Sequence, residues 1–176
     1  MKNIELKVSI AGVDGLSDLL GEIGAESAGT LRQVDTYYQC SKGRLKIREI
    51  NEHIFQLIFY ERPNTRDSRM SDYQLLEMAA EQSREMKLFL SETFGETVVV
   101  RKERRLWLYR NTRIHLDTVE GLGDHLELET RVAEGHISRA RREHDEVIQL
   151  LGLSKLETFG GSYSDMLLQK QSTHRS

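Results

Sequence analysis

Alternating polar and apolar residues mark most of the strands that the sequence predicts. Within residues 2–11, Leu6 and Val8 alternate with Glu5 and Lys7. Because successive side chains of a strand point to opposite faces of a sheet, this segment presents one apolar face and one polar face. Alternation, or a run of branched and aromatic residues bounded by turn residues, predicts further strands at 33–39, 44–50, 54–62, 97–109, 112–119 and 124–132.

Helical spacing of apolar residues predicts the remaining elements. We expect helices at 14–24, 74–94 and 136–151, a short terminal segment at 162–168, and a polar loop at 63–72. The resulting order, β α β β β α β β β α, is typical of an α+β domain built on a large antiparallel sheet or barrel. We expect a single domain over residues 1–170 and a frayed tail at 171–176.

Composition narrows the possible partners and compartment. The net charge of −3 does not favour nucleic-acid binding, so any anion site must come from local clustering of cations. The only cysteine, Cys40, excludes an internal disulfide and favours a reducing compartment. No apolar run has the length of a membrane span, and the N-terminus lacks a signal-peptide pattern. We therefore expect a cytoplasmic protein with no membrane partner.

The polar faces of the predicted strands sort their charges by strand. Cations dominate two strands, with Arg44, Lys46 and Arg48 on one and Lys102 and Arg104 on another, while a third carries the acids Glu127 and Glu129. The other charged positions on these faces are Glu5, Lys7, Arg62, Arg113 and Asp117. The ordinary explanation is a solvated polar face. However, solvated surfaces usually intersperse the two signs.

A sheet that curls with its helices outside would turn these charges into a cavity lining. Such an interior is tolerable only when a ligand or ions fill it, because an unpaired buried charge is very costly. Polyphosphates suit the cations, since they accept fork-like hydrogen bonds from arginine. The carboxylates would repel bare phosphate unless divalent cations bridge the two. Oxygen ligands alone point to Mg²⁺ or Mn²⁺.

Several segments together carry a resemblance to a known family. They are NIELK at 3–7, DTYY at 35–38, GRLKIR at 43–48, LIFYERP at 57–63, VVVRKERRLW at 98–107, RIHLD at 113–117, EGLGDHLELE at 120–129 and SYSDML at 162–167. In this order the chain resembles the CYTH superfamily, the triphosphate tunnel metalloenzymes, which includes class IV adenylyl cyclases and thiamine or inorganic triphosphatases. NIELK is similar to the ExExK signature of that family, although Asn3 replaces the first acid.

The resemblance implies a closed or nearly closed eight-stranded antiparallel β barrel that holds a triphosphate end-on with a divalent metal, Mg²⁺ or Mn²⁺. Lys7 would contact phosphate and is the candidate catalytic residue. The other implied phosphate contacts are Arg44, Lys46, Arg48, Arg62, Lys102, Arg104 and Arg113. The implied metal ligands are Glu5, Asp117, Glu127 and Glu129. The amide of Asn3 brings no charge, so the choice between one metal and two stays open.

Three functions fit these residues. The first is hydrolysis of the terminal phosphate of tripolyphosphate, a nucleoside triphosphate or thiamine triphosphate. The second is class IV adenylyl cyclase activity, and the third is a binding module without chemistry. In each case the partner is a small molecule that contains a triphosphate, and the protein is a monomer or a homodimer. The predicted strands number one fewer than the tunnel requires, and the missing strand lies within 97–109 or near residue 72.

Overall fold

The fold is a closed antiparallel β barrel. In the computed structural model, which describes residues 2–61 and 67–173, the strands are β1 Lys2–Ser9, β2 Glu26–Tyr38, β3 Arg44–Ile50, β4 Ile54–Glu61, β5 Arg69–Met78, β6 Glu96–Tyr109, β7 Thr112–Val119 and β8 Gly123–Val132. They pair in the closed order β1-β5-β4-β3-β2-β6-β7-β8. Every pairing is antiparallel. The predicted α+β class and the eight-stranded antiparallel barrel are confirmed.

Helices pack on the outside of the barrel and over one of its ends. They are α1 Leu16–Glu22, α2 Ala80–Phe94, α3 Ile137–Leu150 and α4 Tyr163–Thr173, with a short 3₁₀ turn at Leu153–Lys155. α3 lies against β8 and β1, α2 against β4 and β2, and α4 against β6. No helix in residues 2–61 and 67–173 is long and apolar enough to cross a membrane.

The apolar core therefore lies between the barrel wall and the helices. Leu6, Ile114 and Leu128 point outward from β1, β7 and β8 and pack with Val147 of α3, and all four are almost completely buried. Since side chains alternate along each strand, the charged positions between these leucines and isoleucines must point into the barrel. The polar faces that the sequence identified are thus the inner wall.

The strand missing from the sequence analysis is β5. We predicted a loop at 63–72 and a helix at 74–94, and both predictions are wrong in the segment Arg69–Met78, which is a strand; α2 begins only at Ala80. Residues 62–66 lie outside the described residues. The helical spacing of Leu75 and Met78 was coincidental. β5 pairs with both β1 and β4, and these two strand pairings close the barrel. Their backbone hydrogen bonds outweigh the local preference of the segment for a helix.

Two further elements differ from the prediction by more than a residue or two at one end. β2 begins at Glu26 rather than at residue 33, because its first residues pair with the distant strand β6 rather than with its sequence neighbour β3. α4 extends through Thr173, beyond the predicted start of the tail at residue 171. The predicted single domain over 1–170 stays a prediction.

The turn between β2 and β3 has room for glycine alone. Gly43 has a φ of +67°, and a Cβ there would lie 2.8 Å from the ring of Phe59 and 2.8 Å from the carbonyl oxygen of Tyr60. We expect Gly43→Ala to lower the free energy of unfolding by about 3 kcal/mol, because left-handed strain adds to overlap with backbone. Gly152→Ala is the matched control, since Gly152 has a φ of +63° and nothing within 4 Å of its built Cβ. Urea denaturation should show a loss of only about 1 kcal/mol there, and equal losses would contradict the steric argument.

Candidate active site

A cavity of about 410 Å³ lies inside the barrel. Every strand contributes to its wall, for example through Glu5, Asp35, Lys46, Gln56, Tyr73, Lys102, His115 and Glu127. The cations of the wall are Lys7, Lys46, Arg48, Lys102, Arg104, Arg113 and Arg131. A cavity of this size suits a small molecule, and its lining is far more charged than that of an ordinary ligand pocket.

Asp35 of β2 holds the two inner cations of β3. Its carboxylate accepts hydrogen bonds of 2.7 Å from Lys46 Nζ, Arg48 Nε and Arg48 Nη2. The pairing follows from register, because Asp35 and Arg48 are direct cross-strand partners. Burial alone would raise the pKa of Asp35, but Arg48 and Lys46 hold it well below its ordinary value. Asp35 is therefore an ionised anchor, and it was not among the predicted site residues.

Asp117 of β7 likewise holds the two inner cations of β6, Lys102 and Arg104. It is fully buried, and its carboxylate accepts hydrogen bonds from Arg104 Nε at 2.7 Å and Nη2 at 2.6 Å and from Lys102 Nζ at 3.4 Å. The hydroxyl of Tyr163 also donates to it, at 2.9 Å. Against the effect of burial, Arg104 and Lys102 lower the pKa of Asp117. These contacts are those of a counter-ion, and its role as a metal ligand stays a prediction.

The acids of β8 face a mixed set of donors. Glu127 lies 3.1 Å from Lys7 Nζ, its direct partner on β1, and 2.8 Å from Arg104 Nη2. His115 Nδ1 is 3.4 Å from the same carboxylate. Burial, together with the nearby Arg104, lowers the pKa of His115, so this imidazole is neutral at neutral pH. The carboxylate of Glu129 accepts hydrogen bonds from Arg113 Nη2 at 3.1 Å and from Asn3 Nδ2.

The acids do not fully compensate the cations. Burial, reinforced by repulsion from Arg48, lowers the pKa of Lys46 to about 7 in spite of its contact with Asp35. Burial and the neighbouring Arg104 likewise lower the pKa of Lys102 to about 8. Two buried amines are thus held near the point at which they lose their charge. An anion placed between them would stabilise the protonated forms of both.

The first residues of α4 close one end of the cavity. The ring of Tyr163 lies in the wall, 3.9 Å from Lys7 Nζ and 4.9 Å from Lys102 Nζ. Asp165 of the same helix binds Arg44 Nη2 at 2.7 Å, and Lys170 Nζ donates to the carbonyl oxygen of Gly121 at 2.6 Å. Tyr163 therefore does more than pack, because it both ends the cavity and bonds to the anchor Asp117.

One divalent ion would fit the wall formed by β1 and β8. Glu5 and Glu129 both point inward and are direct cross-strand partners, so their Cβ atoms lie about 5 Å apart. Mg²⁺ commonly takes one or two protein carboxylates and completes its shell with phosphate oxygens and water. No group of three or more histidines, cysteines and acids within the described ranges is arranged to hold a metal. Two carboxylates of this wall are thus available to an ion that would take its other ligands from phosphate and water.

The structure brings most of the predicted site residues together. Lining the cavity are Glu5, Lys7, Lys46, Arg48, Lys102, Arg104, Arg113, Glu127 and Glu129, with Asp117 directly behind Arg104. Arg44 lies on the same face but is bound by Asp165 rather than lining the cavity, and Arg62 lies outside the described residues. The functional roles of all these residues stay predictions.

Sequence reasoning missed Asp35 and the inner aromatic residues Tyr37, Tyr60 and Tyr73. Asp35 could have been found from parity, because it shares the inner face of the DTYY segment with Tyr37. Tyr73 could not, since the strand that carries it was not predicted.

Comparisons with known proteins identify the family of the chain. Residues 1–163 match the family described as the CYTH domain. The chain belongs to the CYTH family. It is 25% identical over 175 residues to a protein of Methanocaldococcus jannaschii named "putative adenylate cyclase", and the match covers 94% of this chain and 98% of that protein.

Solved structures share the CYTH fold at lower identity. A protein of Pyrococcus horikoshii aligns with a TM-score of 0.77 at 23% identity, covering 93% of this chain and 98% of the other. A protein of Vibrio parahaemolyticus, titled a "putative adenylate cyclase", aligns with a TM-score of 0.75 at 17% identity, covering 94% of this chain and 97% of the other. These similarities establish the fold of the tunnel and leave its chemistry to be argued from the residues.

Anion binding to this CYTH tunnel should weaken as the pH rises, because Lys46 must carry its proton. Between pH 7.5 and 9 a polyphosphate can only gain negative charge, which would strengthen its binding, so a loss of affinity there reports on the protein. We expect the Kd for tripolyphosphate, measured by calorimetry at constant ionic strength, to rise up to tenfold per pH unit. Arginine keeps its charge throughout this range. Lys46→Arg should therefore show a shallower rise, to which Lys102 still contributes, and an unchanged slope would contradict the assignment to Lys46.

Proposed function

We propose that this CYTH protein is a divalent-metal-dependent enzyme that hydrolyses the terminal phosphate of a tripolyphosphate, a nucleoside triphosphate or thiamine triphosphate. The observation that carries the proposal is the cluster of lysines and arginines that line the cavity, of which Lys7, Lys46, Lys102 and Arg104 are buried. A linear triphosphate supplies several negative charges along one line, which matches a narrow tunnel walled by lysine and arginine.

The phosphates would enter end-on. The end near Tyr163 is closed by α4, so the terminal phosphate stops among Lys7, Lys46 and Lys102. Asp35 and Asp117 hold the guanidinium groups of Arg48 and Arg104 in fixed positions. The remaining N–H groups of both arginines can therefore bind phosphate without a further loss of side-chain conformational entropy. Preorganised cations of this kind stabilise the charge of a phosphoryl-transfer transition state.

Hydrolysis joins a water oxygen to the terminal phosphorus and breaks the bridging P–O bond, releasing phosphate and a diphosphate. When bound, Mg²⁺ or Mn²⁺ would neutralise charge on the phosphate oxygens, with Glu5 and Glu129 as its protein ligands. Lys7 is the candidate catalytic residue. Its ammonium group is fixed between Glu127 and the face of Tyr163, and from there it can contact the phosphoryl group that is transferred.

Cyclisation of ATP is the second candidate, and two observations favour it. The Methanocaldococcus relative is named a "putative adenylate cyclase", and the ring of Tyr163 occupies the closed end of the tunnel, 3.9 Å from Lys7 Nζ, where an attacking water would have to fit. In this reaction the ribose 3′-oxygen attacks the α-phosphorus, the bond to the β-phosphate oxygen breaks, and pyrophosphate leaves. The same cations would then stabilise the leaving pyrophosphate, and no water would be needed.

Product analysis tests both reactions. With tripolyphosphate, ATP, GTP or thiamine triphosphate and either Mg²⁺ or Mn²⁺, hydrolysis yields free phosphate, whereas cyclisation of ATP yields cyclic AMP and pyrophosphate. EDTA should abolish either reaction, and turnover that survives EDTA would contradict the role of the metal. Ligand-dependent stabilisation without turnover of any of these substrates would instead indicate a binding module.

Replacing Lys7 should separate chemistry from binding. We expect Lys7→Ala to lower kcat at least about 100-fold, which is the effect of removing one preorganised donor, while tripolyphosphate still raises the Tm of the variant. Lys42→Ala is the matched control, because Lys42 lies on the surface, where it pairs with Glu61. Equal rates for Lys7→Ala and Lys42→Ala would remove Lys7 from the mechanism.

A further inference from the structure

A second cavity, of about 420 Å³, lies between the first turns of α3 and the rim of the barrel. The turn between β6 and β7, the end of β8 and the start of α3 form its wall. Arg131 in this wall pairs with Asn3 at the start of β1, whereas Lys7, which contacts Tyr163, lies near the end of β1. The cavity is therefore at the end of the barrel away from Tyr163, and the proposed reactions leave it without a role.

Three basic side chains line this second cavity. They are Arg131 of β8 and His136 and Arg139 at the start of α3, and all three residues are exposed to solvent. Within residues 2–61 and 67–173, neither guanidinium group forms a hydrogen bond or an ion pair. The inner arginines of β3 and β6 differ, because each of them is held by a buried aspartate. The N–H groups of Arg131 and Arg139 are thus available to a ligand in the cavity.

An acid, Glu143, also lines the second cavity, but its carboxylate is already engaged. This buried group accepts hydrogen bonds from Asn111 N and Thr112 Oγ1, both at 2.8 Å, and from Asn111 Nδ2 at 3.1 Å. Because three donors of the protein fix the carboxylate in place, it makes no direct contact that would neutralise either arginine. The wall therefore favours an anion over a metal ion.

Arg131 lines the tunnel as well as the second cavity. Its position explains this, since it points inward like Glu129 and stands one residue before the end of β8. A guanidinium group has five N–H donors but only one positive charge. A ligand in one cavity that draws Arg131 towards itself therefore weakens the hold of Arg131 on a ligand in the other.

We propose that the second cavity is an anion site, which binds a phosphate group between Arg131 and Arg139, and that the bound phosphate competes with the tunnel for Arg131. The existence of this site does not depend on the proposed function. Its regulatory role does rest on that function, because hydrolysis releases phosphate, and this product would then weaken the binding of the next substrate.

Phosphate fits these donors better than a carboxylate does. A phosphate group carries about 1.5 to 2 negative charges near neutral pH, so two guanidinium groups can balance it. Its oxygens accept fork-like pairs of hydrogen bonds from arginine. A monocarboxylate has a single charge, which one arginine can balance alone. Acetate is therefore the matched control ligand for inorganic phosphate.

His136 provides a reporter inside the second cavity, because a bound anion would shift the carbon–proton NMR signals of its imidazole, which His136→Gln identifies. We expect inorganic phosphate, added at constant pH and ionic strength, to shift these signals along a saturable curve, and acetate to leave them almost unchanged. Arg139→Ala should weaken phosphate binding about tenfold, as expected for the loss of one charged hydrogen-bond partner. Arg142→Ala is the matched control, since Arg142 is exposed on the same helix and does not line the cavity. A shift without saturation, or equal curves for the two variants, would overturn the site.

The coupling to the tunnel is measured separately, as the Kd of tripolyphosphate with and without inorganic phosphate at constant ionic strength. Direct competition of phosphate for the tunnel affects the unaltered protein and Arg139→Ala equally, because Arg139 does not line the tunnel. We expect phosphate to raise the Kd about fivefold more in the unaltered protein than in Arg139→Ala, which is the lower end of typical coupling between two sites. An equal rise in the two proteins would overturn the competition for Arg131.

Failure of this proposal and failure of the proposed function give different results. If tripolyphosphate gives no calorimetric signal, the tunnel does not hold a triphosphate and the proposed function is wrong, while the His136 titration still decides on the second site. If tripolyphosphate binds but the His136 signals show no saturable response to phosphate, the tunnel is retained as a triphosphate site and the second site is wrong.

Discussion

The whole barrel depends on the pairing of buried cations with two buried carboxylates. Asp35 holds Lys46 and Arg48, and Asp117 holds Lys102 and Arg104, in each case across a strand boundary. The barrel order β3-β2-β6-β7 makes this possible, because cation-bearing strands alternate with acid-bearing strands. Removing one partner of such a pair typically costs about 3–5 kcal/mol, since the remaining charge is left uncompensated. These ion pairs stabilise the barrel, and they also hold four cations in its inner wall, where an anion could contact them.

The acids do not neutralise every cation of the wall, and the proposed function rests on the cations that remain. If each lysine had its own carboxylate, the tunnel would be stable and inert towards phosphate. Instead Lys46 and Lys102 each share a carboxylate with an arginine. Arg48 makes two of the three hydrogen bonds to Asp35, and Arg104 makes shorter hydrogen bonds to Asp117 than Lys102 does. The arginines take the carboxylates, and the lysines keep donors for a ligand. The closed end joins the same network, because Tyr163 donates to Asp117 and Asp165 binds Arg44.

Much of this could be predicted from the sequence because parity along a strand is a local property. Arg44, Lys46 and Arg48 had to share a face, and so did Glu127 and Glu129, whatever the rest of the chain did. The partners of these residues could not be predicted, since they depend on strand order. The position of β6 beside β2 is set by pairing between distant segments, and it brings Lys102 next to Gln33. For the same reason Arg44 could not be recognised as the partner of a helix near the C-terminus.

The prediction for the β5 segment was wrong for a different reason. Leu75, Met78 and Met86 happen to recur at helical spacing, and nothing local contradicts a helix through them. Only the closure of the barrel requires a strand there, because β1 and β4 would otherwise each expose an unpaired edge. Tyr73 and Leu75 then become part of the inner wall. A global constraint of this kind leaves no trace in a short window of sequence.

The neutral residue at position 3 is best understood through the same charge balance. An acid there would add a fourth carboxylate to the wall that already holds Glu5, Glu127 and Glu129, and it would increase the attraction for cations. Asn3 instead donates its amide to Glu129, which orients that carboxylate without adding charge. The wall thereby loses attraction for metal, and the tunnel as a whole gains attraction for phosphate, because one fewer acid opposes its lysines and arginines. In the proposed function, a cation in this tunnel would therefore be held mainly through the phosphate that the lysines bind.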